Sequence, residues 1–193
     1  MTNRRDFLTF AAGCLPLPAM PNHAVVEFRN YTMQPGRRDT LIGMFEQELL
    51  DPLEAGGAQV LATFRNLDDP DRWVWMRAFA DMRVRADALH RFYSGPVWQA
   101  RRNPANATII DASNVLLLRP LPGFTPPEPA LRPRAGATAI PTSLIVATTY
   151  QLRPCADDEF AAFHANEVMP LLREMGGAPM AAFATEHSKN SYP

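Results

Sequence analysis

The sequence is poor in cysteine, in net charge and in long apolar runs, and each shortage excludes a class of protein. Two cysteines in 193 residues cannot form a disulfide framework. Nineteen Lys and Arg side chains against twenty Asp and Glu give a formal net charge of −1, so no basic field is present to hold nucleic acid or anionic lipid. No stretch after residue 24 reaches the roughly 18 apolar residues in a row that a membrane span needs. The apolar fraction of 47% is instead typical of a globular protein.

Recognisable catalytic and metal-binding motifs are also missing. There is no Gly-rich phosphate loop, no nucleophile elbow and no cysteine pair. His164 and Glu167 lie three residues apart on a predicted helix, which favours a solvated polar face over an acid–base pair. We therefore expect no metal site and no cofactor. The histidines, which have no metal-ligand spacing, are His23, His90, His164 and His187.

The first 24 residues have the layout of an export signal. Arg4 and Arg5 precede an apolar run from Phe7 to Ala19. The order Arg-Arg-x-Phe-Leu resembles the twin-arginine signal of bacteria, which a receptor reads. We interpret residues 1–24 as this signal, the alternative being a segment without structure. The sequence thus predicts a periplasmic or secreted protein if the signal is used, and a cytoplasmic one otherwise.

Export should depend on this arginine pair. Replacing Arg4 and Arg5 together by lysine should hold the protein in the cytoplasm, because the lysine ammonium presents a different donor geometry from the planar guanidinium. Cell fractionation followed by N-terminal sequencing measures this. A periplasmic fraction unchanged by the double substitution, or a recovered protein that still begins at Met1, contradicts the signal.

Residues 25–119 have the pattern of a compact α+β unit. An alternating strand over 25–33 is followed by a helix over 38–54, whose apolar residues recur every three or four positions. Two strand-like runs joined by a polar turn come next, and Asp81 is placed to cap a second helix. A last apolar strand begins at Val115. The order β-α-β-β-α-β is the ferredoxin-like arrangement.

A proline-rich segment separates this unit from a second stretch with a similar beginning. Seven prolines within residues 120–143 favour an extended linker. Beyond it, Tyr150 overlays Tyr31 at an offset of 150 − 31 = 119 residues, and neighbouring positions match at about the same offset. We interpret 144–193 as a partial second repeat of β-α-β order with an exposed strand edge, so we expect either a truncated gene product or another chain that completes the sheet.

Several motifs follow one another in a characteristic order: Glu27-Phe28-Arg29-Asn30-Tyr31-Thr32, Phe64-Arg65-Asn66-Leu67-Asp68-Asp69-Pro70-Asp71-Arg72-Trp73, Phe92-Tyr93-Ser94-Gly95-Pro96-Val97-Trp98 and Asn114-Val115-Leu116-Leu117-Leu118-Arg119-Pro120. In this order they resemble the NIPSNAP family, well over residues 25–120 and partially over 144–193. The resemblance implies the dimeric α/β-barrel fold, in which two ferredoxin-like sheets pack face to face, from two chains or from two tandem repeats. It implies no particular reaction.

One face of the first strand carries three polar side chains, which is unusual in a core. Period-two alternation puts Glu27, Arg29 and Tyr31 on that face. We expect Arg65 from the second strand and Arg77 from the third to join them. Because the resemblance implies that helices cover one sheet face and the other lines the barrel, we expect this stripe to face the barrel. There it would form either a ligand pocket or an ion-pair network between two sheets.

Two kinds of function fit these observations. The first is a binding module that self-associates as a homo-oligomer and holds a small molecule or a protein partner. The second is a cofactor-independent monooxygenase or isomerase, because related barrels host such chemistry. Oxygen uptake in the presence of quinols or haem would separate them. Whether the protein is an enzyme stays open at this point.

Overall fold

The computed structural model describes residues 23–123, 133–135, 137 and 143–190. The predicted signal and most of the predicted linker therefore lie outside the described residues. The strands are β1 Val25–Met33, β2 Gln59–Arg65, β3 Arg72–Phe79, β4 Ile109–Asp111, β5 Val115–Pro120 and β6 Phe183–Thr185. The helices are α1 Arg38–Met44, α2 Leu50–Ala55, α3 Met82–Ser94, α4 Pro96–Asn106, α5 Asp157–Phe163 and α6 Met169–Glu174. Two π-helical turns, Phe45–Leu49 and His164–Val168, join α1 to α2 and α5 to α6.

The described strands form one antiparallel sheet in the order β2-β3-β1-β5-β6, and β4 pairs with the end of β1. Without β4 and β6, the sheet has the order β2-β3-β1-β5, with helices between β1 and β2 and between β3 and β5. This is the ferredoxin-like arrangement, and it confirms the predicted α+β fold class. No helix of the described residues has the length and apolar character needed to cross a membrane.

Helices α1 to α4 cover one face of the sheet. Helix α3 begins as predicted, because the Asp81 side chain accepts a hydrogen bond from the Val84 N–H at 2.7 Å. The apolar stripe of the first helical segment is buried against the sheet, as its spacing predicted. The main core lies between these two layers. Its buried members include Leu41, Phe45, Leu49 and Leu53 from the helical side and Tyr31, Met33, Trp73, Trp75 and Phe79 from the sheet.

The other face of the sheet, which we call the open face, is apolar as well. Phe28 is paired across the strands with Met76 on one side and with Leu116 on the other. Phe28 and Met76 are half-buried, and Leu116 is 37% exposed. A smaller core cluster lies on this face; it consists of Val26, Leu61 and Ala78 with Met76, Leu118 and Phe183 packed against it.

The second stretch repeats the backbone of the first helical segment. Helix α5 begins 157 − 38 = 119 residues after α1, and α6 ends 174 − 55 = 119 residues after α2. Cys155 has a φ of 62°, and Gly36, 119 positions earlier, has a φ of 70°. A residue in the left-handed conformation thus precedes each helix. At Cys155 this conformation has a steric cost that glycine avoids. That the two stretches are copies of one unit remains a prediction.

The structure differs from the predicted β-α-β order of this stretch in its first element. The backbone from 143 to 153 forms no strand, and Leu144, Val146 and Tyr150 are 69%, 78% and 51% exposed. An extended segment becomes a strand only by hydrogen bonding to a neighbour, and no described strand pairs with this one. The helix and the short strand β6 do form, and β6 pairs with β5 of the first unit.

Candidate functional site

The polar stripe of β1 lies on the helix-covered face of the sheet and is buried. Glu27, Arg29 and Tyr31 are 0%, 7% and 7% exposed. Arg77 is the cross-strand partner of Glu27 and is 1% exposed. The expectation that the stripe faces the barrel is therefore wrong. Alternation separates two faces of a strand without saying which of them the helices cover, and here both faces carry enough apolar side chains to be buried.

Glu27 is the centre of a buried group of ion pairs. Its Oε2 accepts hydrogen bonds from Arg29 Nη1 at 2.5 Å and from Arg77 Nε at 2.7 Å. Its Oε1 accepts a hydrogen bond from Nε of Arg85, a residue of α3, at 2.6 Å. Arg29 Nε also donates to the Tyr31 hydroxyl at 2.9 Å. We call the group formed by Glu27, Arg29, Arg77 and Arg85 the Glu27 cluster.

The arginines determine the charge state of Glu27. Burial by itself raises the pKa of this carboxyl, but the nearby charges of Arg77 and Arg29 lower it further than burial raises it, to about 2. Burial also raises the pKa of the Tyr31 hydroxyl, against the influence of Arg29. At neutral pH Glu27 is therefore ionised and Tyr31 is neutral. A carboxylate of such low pKa is a poor proton acceptor, so the cluster is better suited to holding charge than to acid–base chemistry.

Aromatic rings surround the cluster on the sheet. Trp73 and Trp75 stack with their centroids 5.4 Å apart, and Tyr31 meets both of them edge-on at 5.7 and 6.0 Å. The guanidinium carbons of Arg29 and Arg77 lie 5.6 and 5.2 Å from the centroid of the Trp75 ring. Cation–π attraction therefore adds to the ion pairs in holding these guanidiniums against the sheet.

The structure does not bring Arg65 to this cluster. Its Nε lies 3.0 Å from an oxygen of Asp39 in α1, and its side chain is 34% exposed. Arg65 is the last residue of β2, a strand at the edge of the sheet, so its side chain reaches the beginning of the helix. Sequence reasoning also missed Arg85, although Arg85, Leu89 and Phe92 are spaced as one buried helix stripe. A charged residue within an otherwise apolar helix stripe is the sequence signal that could have identified Arg85.

The described residues contain no group of three or more His, Cys, Asp or Glu side chains that could hold a metal ion. His164 lies in the second π-helical turn, where its ring is 6.2 Å from Tyr150 and 6.1 Å from Phe160. His90 is exposed on α3. Neither histidine contacts the Glu27 cluster. A cavity of about 280 Å³ opens elsewhere, beside Glu54, Gly57 and Phe79, and its lining is mostly apolar.

A family model and several solved structures are similar to this chain. The family model described as NIPSNAP matches residues 26–123, about half of the chain. A crystal structure of a NIPSNAP family protein of unknown function from Agrobacterium tumefaciens is 20% identical, over 51% of this chain and 89% of that one, with a TM-score of 0.47. Two structures from Burkholderia xenovorans are also similar. One, an uncharacterized NIPSNAP domain protein, is 21% identical over 53% of this chain and 99% of that one, with a TM-score of 0.48. The other, an uncharacterized NIPSNAP-like domain protein, is 24% identical over 56% and 93%, with a TM-score of 0.47. No curated protein matches the chain.

Proposed function

This chain belongs to the NIPSNAP family, and on that premise we propose that it is a binding protein for a small molecule that assembles with further copies of itself. The observation that carries the proposal is the Glu27 cluster. It places one carboxylate and three guanidiniums inside an aromatic core. Burying charges costs several kcal/mol per ion, and apolar side chains of similar volume would stabilise the fold as well or better. A binding role accounts for keeping them.

The cluster lies between the sheet and the helices, and we propose that the ligand is held there. Arg29 is its most accessible member, with a side-chain exposure of 9%, while Arg77, Arg85 and Glu27 are between 0% and 2% exposed. A small molecule would therefore meet Arg29 first and then the rings of Tyr31 and Trp75. The ion pairs to Glu27 fix the guanidiniums in position before binding, which lowers the entropy cost of forming the complex.

The open face supports self-association. The row Met76, Phe28 and Leu116 crosses three neighbouring strands and remains partly accessible. A sheet with two apolar faces is stable only when a layer covers each of them, and the helices cover one. We propose that a second copy of the chain packs its own open face against this one.

Native mass spectrometry of the full chain tests both parts of the proposal. We expect the mass of a dimer, with a copurifying small molecule whose occupancy falls in Arg29→Met. We also expect Leu116→Glu to raise the dimer dissociation constant by roughly a hundredfold, because an unpaired carboxylate would be buried at the interface at a cost of about 3 kcal/mol. Circular dichroism confirms that each variant is folded.

Leu67→Glu is the matched control for assembly. Leu67 is 80% exposed in the turn between β2 and β3, so a charge there should leave the dimer intact. A parent protein that remains a bare monomer at every concentration contradicts the proposal. So does a dimer that Leu116→Glu and Leu67→Glu affect equally, since the open face would then not be the interface.

The alternative of a cofactor-independent monooxygenase or isomerase has no comparable support. It depends on what related barrels do, and fold alone does not determine function. Such an isomerase needs a base of suitable pKa, and Glu27, with a pKa of about 2, is a weak one. The described site therefore favours binding over turnover.

A further inference from the structure

We infer that the Glu27 cluster binds a small oxyanion, with a carboxylate as the best fit, between Arg29, Arg77 and the indole of Trp75. The inference rests on the proposed function and names the chemical class of its ligand. Two independent observations carry it: the charges of Glu27, Arg29 and Arg77 do not balance, and the unpartnered polar groups on the helix-covered face beside them are both donors.

The charge imbalance is evident at a single oxygen. Arg29 and Arg77 both donate hydrogen bonds to Glu27 Oε2, so two buried guanidiniums share one negative charge. One positive charge of this pair is left over, and Oε1 of the same carboxylate is already occupied by Arg85. A buried charge without compensation is costly, and a bound anion would offset it.

The excess of buried hydrogen-bond donors beside the cluster also favours a bound anion. The indole N–H groups of Trp73 and Trp75 are buried and have no acceptor among the described residues. Tyr31 uses its hydroxyl oxygen to accept from Arg29, so its O–H group can donate to a further acceptor. The unpartnered acceptor of the same region is Oδ1 of Asn30, which belongs to the opposite face of β1. An oxygen-rich ligand on the helix-covered face would satisfy these donors together.

The charge favours an anion over a buried water molecule. Water would accept hydrogen bonds from the indoles and from Tyr31, but it would leave the surplus charge of Arg29 and Arg77 as it is. Among anions, a carboxylate matches the planar fork of a guanidinium through two parallel hydrogen bonds. Trp75 packs on Phe45 and Tyr31 at centroid distances of 5.1 and 6.0 Å, so a flat apolar remainder of the ligand would lie against these rings rather than between them.

Isothermal titration calorimetry with benzoate and benzamide tests the inference, because these two probes share a shape and differ in charge. Titrations are made at constant ionic strength with chloride as the background anion. We expect saturable binding of benzoate and none of benzamide. Trp75→Phe, which keeps an aromatic ring and removes the N–H, should weaken benzoate binding roughly tenfold or more, as should Arg29→Met.

Trp98→Phe is the matched control, since the ring contacts of Trp98 within the described residues are to Tyr93 and Phe92 and not to Trp75 or Tyr31, and it should leave benzoate affinity unchanged. Binding of benzamide with no binding of benzoate overturns the anionic class and leaves the proposed binding function standing. Benzoate affinity that Trp75→Phe and Arg29→Met leave unchanged overturns the site. If neither probe binds, the inference fails. If, in addition, no small molecule copurifies with the parent, the proposed function fails with it.

Discussion

Glu27→Gln should lower the free energy of unfolding by about 3 to 5 kcal/mol. The carboxylate is fully buried and holds three guanidiniums, so its removal leaves three cations close together without their common partner. Glutamine keeps the shape of the side chain but supplies no charge. Urea denaturation followed by tryptophan fluorescence measures the effect, with a comparable m-value showing that two-state unfolding is retained.

The same carboxylate should give the protein a marked acid sensitivity. Burial raises and the arginines lower the pKa of Glu27, from 4.5 to about 2, so folding favours its ionised form. The resulting stability, about 3 kcal/mol, is complete above the unfolded pKa and is lost as the pH falls from about 4.5 towards 2. In Glu27→Gln this part of the pH dependence should be missing.

Glu48→Gln is the control for both measurements. Glu48 pairs with Arg101 at the surface, where the two side chains are 35% and 46% exposed, and exposed pairs contribute about 1 kcal/mol or less. Equal effects of the two substitutions, or an unchanged acid dependence in Glu27→Gln, would show that the Glu27 cluster does not carry its charges in the buried state described.

Trp73→Ala should cost about 3 to 5 kcal/mol, because a buried indole would be replaced by a large cavity. Trp73 is 1% exposed and packs on Trp75, Tyr31 and Phe45 at centroid distances between 5.2 and 5.7 Å. It is the largest of the side chains that are less than 2% exposed, and it connects the sheet to Phe45 of the first helical segment. Urea denaturation measures the loss of stability.

Trp98→Ala is the comparison, because Trp98 lies at the edge of the core on α4 and is only partly buried. Its removal should cost clearly less than that of Trp73. If the two costs are equal, or if Trp73→Ala stays within about 1 kcal/mol of the parent, the layer of aromatic residues between sheet and helices is not packed as described.

Local patterns in the sequence were sufficient to predict most of the first unit. Alternation identified β1 and put Glu27, Arg29 and Tyr31 on one face, and Asp81 marked the beginning of α3. These predictions succeed because each depends on neighbours within a few positions, such as the side-chain period of a strand or a cap that binds the first helical turn.

Tertiary position was harder to predict. The face that the helices cover depends on contacts across the whole domain, so the stripe of β1 was assigned to the wrong side. Arg65 shares the helix-covered face through its pairing with Trp73, yet its place at the end of an edge strand directs it to Asp39. Arg85 lies on the buried stripe of α3, but only the position of α3 over β1 shows that its partner is Glu27.

Anomalous diffraction from crystals of the full-length protein soaked in sodium bromide tests the central claim most directly, because bromide is a small anion that can be located without assumptions about the natural ligand. A surplus of buried positive charge predicts a bromide peak on the helix-covered face, within hydrogen-bonding distance of the guanidiniums of Arg29 and Arg77 and beside Trp75. The peak should be absent in Arg29→Met. Bromide found only on the outer surface, with water or nothing beside Arg29 and Arg77, would contradict the account.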